Sequence, residues 1–473
     1  MIHFFKSFDN NIFAVKSKIN LSKNNLKKLE WLFGDSAYVP NKKIIEKYIG
    51  LRASMISPWS TNAVDICVNM GISEIERIEE YIFFENYTKD FDPMLNEKFE
   101  FLDQNLFNVN SEVKPIIEIE NINDYNISEG LSLSADEINF LENVSKKINR
   151  KLTDSEVFGF SQVNSEHCRH KIFNGKFIIN GIEKKSSLFS MIKKTSKFNS
   201  KYLVSAYKDN VAFINGPKIL QFSPKNSSKS DFYHLKEIDT VISLKAETHN
   251  FPTTVEPFNG AATGSGGEIR DRLAGGKGSI PLAGTAVYMT PYSRINNKKW
   301  EKNIKRRDWL YQKPLDILIK ASNGASDFGN KFGQPLICGS VFTFENNDNN
   351  EIQSYDKVIM LAGGIGFANK EHAIKDKPSK GDLIIVMGGD NYRIGMGGAA
   401  VSSADTGEFS SGIELNAIQR SNPEMQKRVA NAIRGTIENA SNCIVSIHDH
   451  GAGGHLNCLT ELVEDIGGSI NLD

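Results

Sequence analysis

The chain has 473 residues, a formal net charge of −1 and a pI near 6.8, which excludes binding of nucleic acid through bulk positive charge. No apolar run approaches the ~18 residues that a membrane helix needs, and the first residues lack the apolar core of a signal peptide. The five cysteines are scattered without a CxxC pair, which indicates reduced thiols. We therefore expect a cytoplasmic protein that binds neither nucleic acid nor a membrane.

The first two of four predicted zones lie before residue 176. Residues 1–125 mix short strands and helices and are predicted to form an N-terminal domain, and residues 126–175 form a helical linker domain. In the linker, Ser134 and Glu137 have the spacing of a capping box. Apolar residues follow at helical spacing, at Ile138, Leu141 and Val144. This pattern predicts a helix.

The third zone, residues 176–378, alternates predicted strands and helices, and the fourth zone, residues 379–473, is predicted to be an α/β layer. The stretches TVISLKAETH and KVIMLAGGIGFA are typical of buried strands in the third zone. In the fourth zone, LIIVMGG and CIVSIHDHGAGG also predict strands. Between them, Asn422 is the predicted N-cap and Pro423 the first residue of a helix. The predicted fold class is mixed α+β and α/β.

A glycine-rich stretch, ETHNFPTTVEPFNGAATGSGGEIRDRLAGGKG, runs from Glu247 to Gly278. Its run Gly264–Gly267 predicts a loop that leads into a helix N-terminus, where glycine lets backbone N–H groups approach a phosphate. It is not a P-loop, because Gly278 follows Lys277 where a Ser or Thr must bind Mg²⁺. A GxGxxA pattern at residues 395–400 lies too far past its strand to indicate dinucleotide binding. The glycines therefore predict a binding loop and leave its ligand open.

Charged residues flank this stretch on both sides. Lys245, Glu247 and His249 alternate at a strand end, so their side chains are expected on one face, and Asp271 follows Arg270 beyond the glycines. Two carboxylates beside a phosphate loop suit Mg²⁺ with a polyphosphate, and Lys or Arg neutralises the remaining charge. The pattern favours a metal–nucleotide site, with a solvated cluster of salt bridges as the alternative.

Two histidine-containing groups carry weaker patterns. In NSEHCRHK, His167 and His170 have a metal-ligand spacing and Cys168 could be a nucleophile. The chain has no second Cys/His group at ligand spacing, so a surface turn is the favoured interpretation. In SIHDHGAGGHLN, Asp449 precedes glycines and is accompanied by His448, His450 and His455. That group could bind zinc, or Asp449 could supply one carboxylate to Mg²⁺, which is consistent with the first site.

Eight longer motifs follow one another along the chain: ISPWSTNAVDI, SEHCRHKIFNG, LVSAYKDN, KAETHNFPTTVEPFNGAATGSGGEIRD, NGASDFGNKFGQPLICGS, NYRIGMGGAAVSS, IQRSNPEMQKR and SIHDHGAGGHLN. In sequence and in order, they resemble the motifs of the large form of the phosphoribosylformylglycinamidine synthase family. The resemblance extends over nearly the whole chain, and eight ordered motifs are far more specific than any one of them.

The resemblance implies a fold and an activity. It implies that an aminoimidazole-ribonucleotide-synthetase-like (PurM-like) ATP-binding domain occupies residues 176–378, with an incomplete second α/β domain at 379–473. It also implies a C–N ligase of purine biosynthesis that converts formylglycinamide ribonucleotide to the amidine, with ATP, Mg²⁺ and ammonia from glutamine. The amide oxygen attacks the γ-phosphate of ATP, and ammonia then displaces phosphate.

The resemblance also implies roles for single residues. The catalytic residues would be His167 and His249, the second as proton acceptor. The metal ligands would be Glu247, Asp271 and Asp449. The ATP-binding residues would be His170, Lys245, Gly260, Ala261, Ala262, Thr263, Gly264, Ser265, Gly266, Gly267, Glu268, Ile269, Arg270 and Asp271. The substrate-binding residues would be Thr248, Asn250, Phe251, Arg270 and Gln419.

The second synthetase half and the glutaminase domain that the resemblance implies do not occur within these residues. We therefore expect the N-terminal part of the enzyme, as a split-gene subunit or a truncated product. We expect it to be inactive without a second chain that carries the missing parts. Two alternatives stay open: a non-catalytic nucleotide-binding or assembly module of the same family, and another PurM-like ATP-using enzyme.

Overall fold

The computed structural model describes most of the chain. The described residues are 1–86, 96–109, 115–131, 133–164, 170–226, 229–295, 298–299, 312–348, 351–388, 418, 421–439, 441–451 and 453–470. Within these ranges, no helix combines the length and the apolar character that crossing a membrane requires.

The first sheet is antiparallel and has six strands in the order β3-β1-β2-β5-β4-β6. The strands are β1 (Ile2–Lys6), β2 (Ile12–Ser17), β3 (Ala37–Val39), β4 (Tyr48–Leu51), β5 (Ile75–Phe83) and β6 (Asn96–Phe99). Helices α1 (Lys23–Leu32) and α2 (Pro58–Asn69) pack against one face through Leu29 and Cys67. The other face is covered by the segment that carries Leu102 and Phe107. Both faces of this sheet are therefore buried.

The linker is helical, as predicted, with α3 (Ile122–Ser128), α4 (Ala135–Ile148) and α5 (Asp154–Val163). The capping box is confirmed: Ser134 Oγ accepts from the Glu137 backbone N–H at 3.3 Å, and the Glu137 carboxylate accepts from the Ser134 N–H at 2.7 Å. Leu141 is buried among the three helices. The chain continues through α6 (His170–Asn174), β7 (Ile178–Ile179), β8 (Ile182–Glu183) and α7 (Leu188–Phe198).

The second sheet has six strands in the order β13-β12-β16-β11-β10-β9. Its strands are β9 (Leu203–Ser205), β10 (Ala212–Pro224), β11 (Tyr233–Thr248), β12 (Ile280–Thr290), β13 (Leu336–Thr343) and β16 (Ile359–Asn369), with a separate hairpin β14 (Glu345–Asp348) and β15 (Glu351–Ser354). Strands β11 and β16 are the two strands predicted for the third zone, and they pair antiparallel with Lys245 opposite Gly364. Only β12 and β13 run parallel among these pairs, because α10 (Pro314–Phe332) lies in their connection.

Helices α8 (Asn250–Val255) and α9 (Pro257–Leu273) contain most of the glycine-rich stretch, so the predicted loop at Gly264–Gly267 is wrong. The glycines serve close packing instead. A Cβ at Gly260 would lie 2.3 Å from the backbone of Pro252, and one at Gly266 would lie 2.7 Å from the Phe328 ring. Because glycine has no side chain, α9 can pack closely against α8 and α10 at these positions.

The described part of the fourth zone consists mainly of two helices, α11 (Pro423–Ile437) and α12 (Gly454–Leu462). The predicted start of α11 is confirmed: Asn422 Oδ1 accepts from the Met425 N–H at 3.0 Å, and Pro423 is the first helical residue. The strands predicted for LIIVMGG and CIVSIHDHGAGG do not form in the described parts of those stretches. Among the described residues, no strand lies beside either stretch, so their backbone N–H and C=O groups have no partner strand to pair with.

Candidate functional site

A charged cluster lies where the end of β11 meets α9. Lys245 and Glu247 are two residues apart on β11, so their side chains leave the same face. Lys245 Nζ lies 3.1 Å from Glu247 Oε2 and also donates to Asp271 Oδ2 near the C-terminus of α9. Burial would lower the pKa of Lys245, but the carboxylates of Asp271 and Glu247 outweigh burial and raise that pKa. Lys245 is therefore a firmly held ammonium between two carboxylates.

Asp449, from the segment before α12, adds a third carboxyl group to this cluster. It is hydrogen-bonded to Asp271, and its Oδ2 lies 3.8 Å from Arg270 Nε. Asn210 Nδ2, a group not singled out from the sequence, lies 3.5 Å from Asp449 Oδ1. Burial and the neighbouring Asp271 raise the pKa of Asp449 to about 7. Ionising both carboxyl groups is costly without a further positive charge, so the cluster favours an added proton or cation.

His249 lies directly after β11, beside the cluster. Its Nδ1 contacts the carbonyl oxygen of Gly260, and because a carbonyl can only accept, Nδ1 carries the proton. Burial lowers the pKa of His249 to about 4. A Cβ at Gly264 would lie 2.8 Å from His249 Cβ, so that glycine makes room for the imidazole. The ring is therefore neutral near pH 7, with its basic lone pair on Nε2.

Gln426 of α11 holds Arg270 in place. Its Nε2 donates to the carbonyl oxygen of Gly266 at 2.9 Å, and its Oε1 accepts from Arg270 Nη1 at 3.2 Å. Sequence reasoning missed this residue, although one signal was present. Gln426 lies on the same buried stripe of α11 as Ala430 and Ile433, and a polar side chain on an apolar stripe indicates a specific partner.

A buried polar network lies beneath the cluster. Arg272 Nε lies 2.6 Å from Glu268 Oε1, and both side chains are almost completely buried. Arg272 also donates to the carbonyl of Ile365 and to Gln334, whose amide donates to Glu268 Oε2 at 3.1 Å. A Cβ at Gly364 would lie 1.9 Å from Glu268 Oε1. The network therefore ties α9 to β16 and fixes the rotation of the helix that presents Asp271.

The structure thus places the other predicted residues as follows. The predicted ATP-binding stretch Gly260–Asp271 lies within α9 and is mostly buried; Gly267 and Arg270 are its partly exposed members. Among the predicted substrate-binding residues, Thr248 is exposed at the end of β11, and Asn250 Oδ1 accepts from the backbone of Met360 at 3.0 Å. Phe251 is only 1% exposed and belongs to the core.

Three predicted site residues cannot be placed with their side chains. His167 and Gln419 lie outside the described residues, as does Cys168. His170 is described through its backbone as the start of α6. Their predicted roles stay predictions.

The described residues contain no group of three His, Cys, Asp or Glu side chains in metal-ligating geometry, either in the histidine motif or in the charged cluster. His450 Nε2 and His455 Nδ1 instead contact each other at 2.8 Å. The donor set of the charged cluster fits Mg²⁺, which binds proteins through one or two carboxylates and completes its shell with water and phosphate oxygens. Burial and the neighbouring Asp271 raise the pKa of Asp449 despite the nearby Arg270 and Lys245, so a bound cation would favour its ionised form.

Comparison with known proteins gives matches to three family models. The formylglycinamide ribonucleotide amidotransferase N-terminal model matches residues 10–108, and the linker-domain model of the same enzyme matches residues 122–171. The model of the C-terminal domain of AIR synthase related proteins matches residues 379–473. Together the three matches cover more than half of the chain.

Among curated proteins, phosphoribosylformylglycinamidine synthase of Schizosaccharomyces pombe is 39% identical over 461 residues, which cover 89% of this chain and 34% of the relative. The chain thus spans about a third of that relative's length. Among solved structures, T. maritima PurL complexed with FGAR has a TM-score of 0.41 and 24% identity, over 69% of this chain and 41% of that chain. T. maritima PurL complexed with ADP has a TM-score of 0.41 and 22% identity, over 68% and 39%.

These structural likenesses are too distant to assign a ligand to this chain. The N-terminal and linker models and the curated relative point to the same enzyme, in agreement with the order of the eight motifs. The chain therefore belongs to the phosphoribosylformylglycinamidine synthase family, also named the formylglycinamide ribonucleotide amidotransferase family.

Proposed function

We propose that the charged cluster binds ATP with Mg²⁺, and that the chain takes part in the ATP-dependent conversion of formylglycinamide ribonucleotide to formylglycinamidine ribonucleotide. One observation carries this proposal. Lys245 and Glu247 of β11 meet Asp271 of α9, and Asp271 in turn contacts Asp449 from a segment far along the chain. Such convergence of charged groups is costly for stability and is typical of sites that bind a charged ligand.

Each residue of the cluster has a chemical role that its surroundings support. Glu247, Asp271 and Asp449 offer the carboxylate oxygens for Mg²⁺, and when bound, the ion would neutralise charge on the transferring phosphoryl group. Lys245 and Arg270 supply fixed positive charge for phosphate oxygens. No glycine loop is needed for this, since the cations and the ion carry the phosphate binding.

His249 is suited to be the proton acceptor. In the proposed reaction, the amide oxygen of the substrate attacks the γ-phosphate, and ammonia then displaces phosphate from the activated carbon. Addition of ammonia requires the loss of a proton from nitrogen. Burial lowers the pKa of His249 to about 4, so the ring is neutral near pH 7 and its Nε2 is unprotonated. The negative charge of a bound phosphate would raise that pKa toward the value that a general base needs.

Further parts of the proposal concern the whole enzyme. We propose glutamine as the source of ammonia, cytoplasmic location, and a contribution to the site from protein beyond these residues. The word amidotransferase in the names of the two matching models supports glutamine, and the contribution from further protein is supported by the chain's spanning about a third of its curated relative. The roles of His167, His170 and Gln419, and the domain boundaries after residues 125, 175 and 378, belong to this proposal as well.

The test is phosphate release by the complete enzyme that contains this chain, with ATP, formylglycinamide ribonucleotide and ammonia. We expect Glu247→Gln to lower kcat/KM at least about a hundredfold, since the ligand set loses one charge. Glu351→Gln, on the exposed β15, makes the same change outside the cluster and should be neutral. Unchanged turnover by Glu247→Gln would remove the cluster from the reaction.

A further inference from the structure

Lys245 lies between Glu247 and Asp271, two of the three carboxylates that the proposed metal ion would use. Its Nζ is 3.1 Å from Glu247 Oε2 and bonds to Asp271 Oδ2, and its side chain is only 14% exposed. An ammonium there supplies positive charge to carboxylates that would otherwise repel each other. Resting on the proposed function, we infer that Lys245 competes with the metal ion for Glu247 and Asp271, and that metal binding releases it toward the nucleotide phosphates.

The exchange follows from the distances. Mg²⁺ requires carboxylate oxygens at about 2.1 Å in a near-octahedral shell, whereas the same oxygens now accept hydrogen bonds from Lys245. Each carboxylate has further lone pairs, but a dication bound to these two groups would lie close to the Lys245 ammonium and be repelled by it. The backbone of Lys245 is fixed, because β11 pairs with β16 at this point, opposite Gly364. The exchange is therefore a movement of the flexible four-carbon side chain alone.

Gly267 leaves an opening in the surface of α9 next to the cluster. Among the described residues, a Cβ at this position would meet Arg270 Nη2 at 3.5 Å and Glu247 Cγ at 3.8 Å and nothing closer. Gly267 is also partly exposed, whereas most of α9 is buried. A phosphate in this opening would accept from Arg270 and from a released Lys245.

The exchange couples metal binding to nucleotide binding. Metal alone must displace Lys245 and leave its ammonium without an anion, which costs affinity. With nucleotide present, the displaced ammonium gains a phosphate, so each ligand strengthens the other. Without Lys245, metal should bind more tightly on its own, and the coupling should shrink.

The test uses the full 473-residue chain and Mn²⁺ as probe, titrated by electron paramagnetic resonance with and without a non-hydrolysable ATP analogue. We expect Lys245→Met to bind Mn²⁺ alone at least about tenfold more tightly than the wild type, and to lose most of the increase that the analogue produces. Lys277→Met removes the same charge outside the cluster, where Lys277 pairs with Asp376 at 2.9 Å. This control should behave like the wild type.

Weaker or unchanged Mn²⁺ binding by Lys245→Met would overturn the exchange. The proposed function would survive that result if wild-type ATP binding still required metal, and would fail if it did not. Circular dichroism checks the fold of each variant. If Lys245→Met does not fold, Lys245→Arg decides the question: a bidentate guanidinium should hold the carboxylates more firmly and weaken Mn²⁺ binding, and tighter binding would contradict the inference.

Discussion

Replacing Arg272 by Met tests whether the buried network beneath the cluster fixes α9. Arg272 is fully buried, pairs with Glu268 at 2.6 Å, and donates to the carbonyl of Ile365 and to Gln334. Methionine retains much of the side-chain length but leaves Glu268 buried without its cation. Breaking one partner of a buried ion pair costs about 3–5 kcal/mol. We expect the local stability of α9 to fall by that amount.

Hydrogen exchange measured by mass spectrometry reports this loss for α9 itself, without assuming that the whole chain unfolds in one step. At about 1.4 kcal/mol per factor of ten, exchange should accelerate by about two to three and a half orders of magnitude. Arg434→Met is the control. Arg434 pairs with Glu438, but its side chain is 56% exposed, so the expected loss of stability is below about 1 kcal/mol. The double variant Glu268→Leu/Arg272→Met should recover part of the loss. Less than about tenfold acceleration in Arg272→Met, or a double variant worse than the single one, would refute this reasoning.

Two other predictions concern packing and pH. Gly260→Ala should destabilise α9 by about 1–3 kcal/mol, because its Cβ would lie 2.3 Å from the backbone of Pro252. Gly267→Ala, with no contact closer than 3.5 Å, should be neutral or stabilising; thermal melts showing equal losses would contradict this contrast. Burial and the hydrogen bond to Glu424 raise the pKa of Asp65 to about 6, so the stability that its protonated form contributes is lost as pH rises through about 6. The loss runs from the ordinary pKa of 3.8 up to about 6, so Asp65→Asn should raise Tm at about pH 8 and leave it nearly unchanged at about pH 3.5; equal shifts at both values would count against the contact.

Features governed by neighbouring residues were predictable from the sequence. The capping box at Ser134 and the N-cap at Asn422 depend on residues three positions away, and both are present. The strand that carries Lys245 and Glu247 also forms, and alternation correctly places their side chains on one face. Asp271 and Asp449 could be named as candidates from the motifs, and the fold brings them together.

Features governed by distant contacts were not predictable in the same way. Gly264–Gly267 has the composition of a phosphate loop, but the close approach of α9 to α8 and α10 decides its conformation. Gln426 reaches Gly266 from 160 positions along the chain, and Asn210 reaches Asp449 from 239 positions. No local pattern specifies such pairs, because they depend on how helices pack around the sheet.

The most direct measurement of the central claim is the dissociation constant of ATP for this chain, determined by calorimetry with Mg²⁺ and with EDTA. We predict at least about tenfold tighter binding with Mg²⁺, equivalent to about 1.4 kcal/mol. Asp271→Asn should abolish most of that difference, whereas Asp327→Asn, in the surface pair with Lys331, should preserve it. Equal ATP affinity with Mg²⁺ and with EDTA in the wild-type chain would contradict a metal–nucleotide site at the charged cluster.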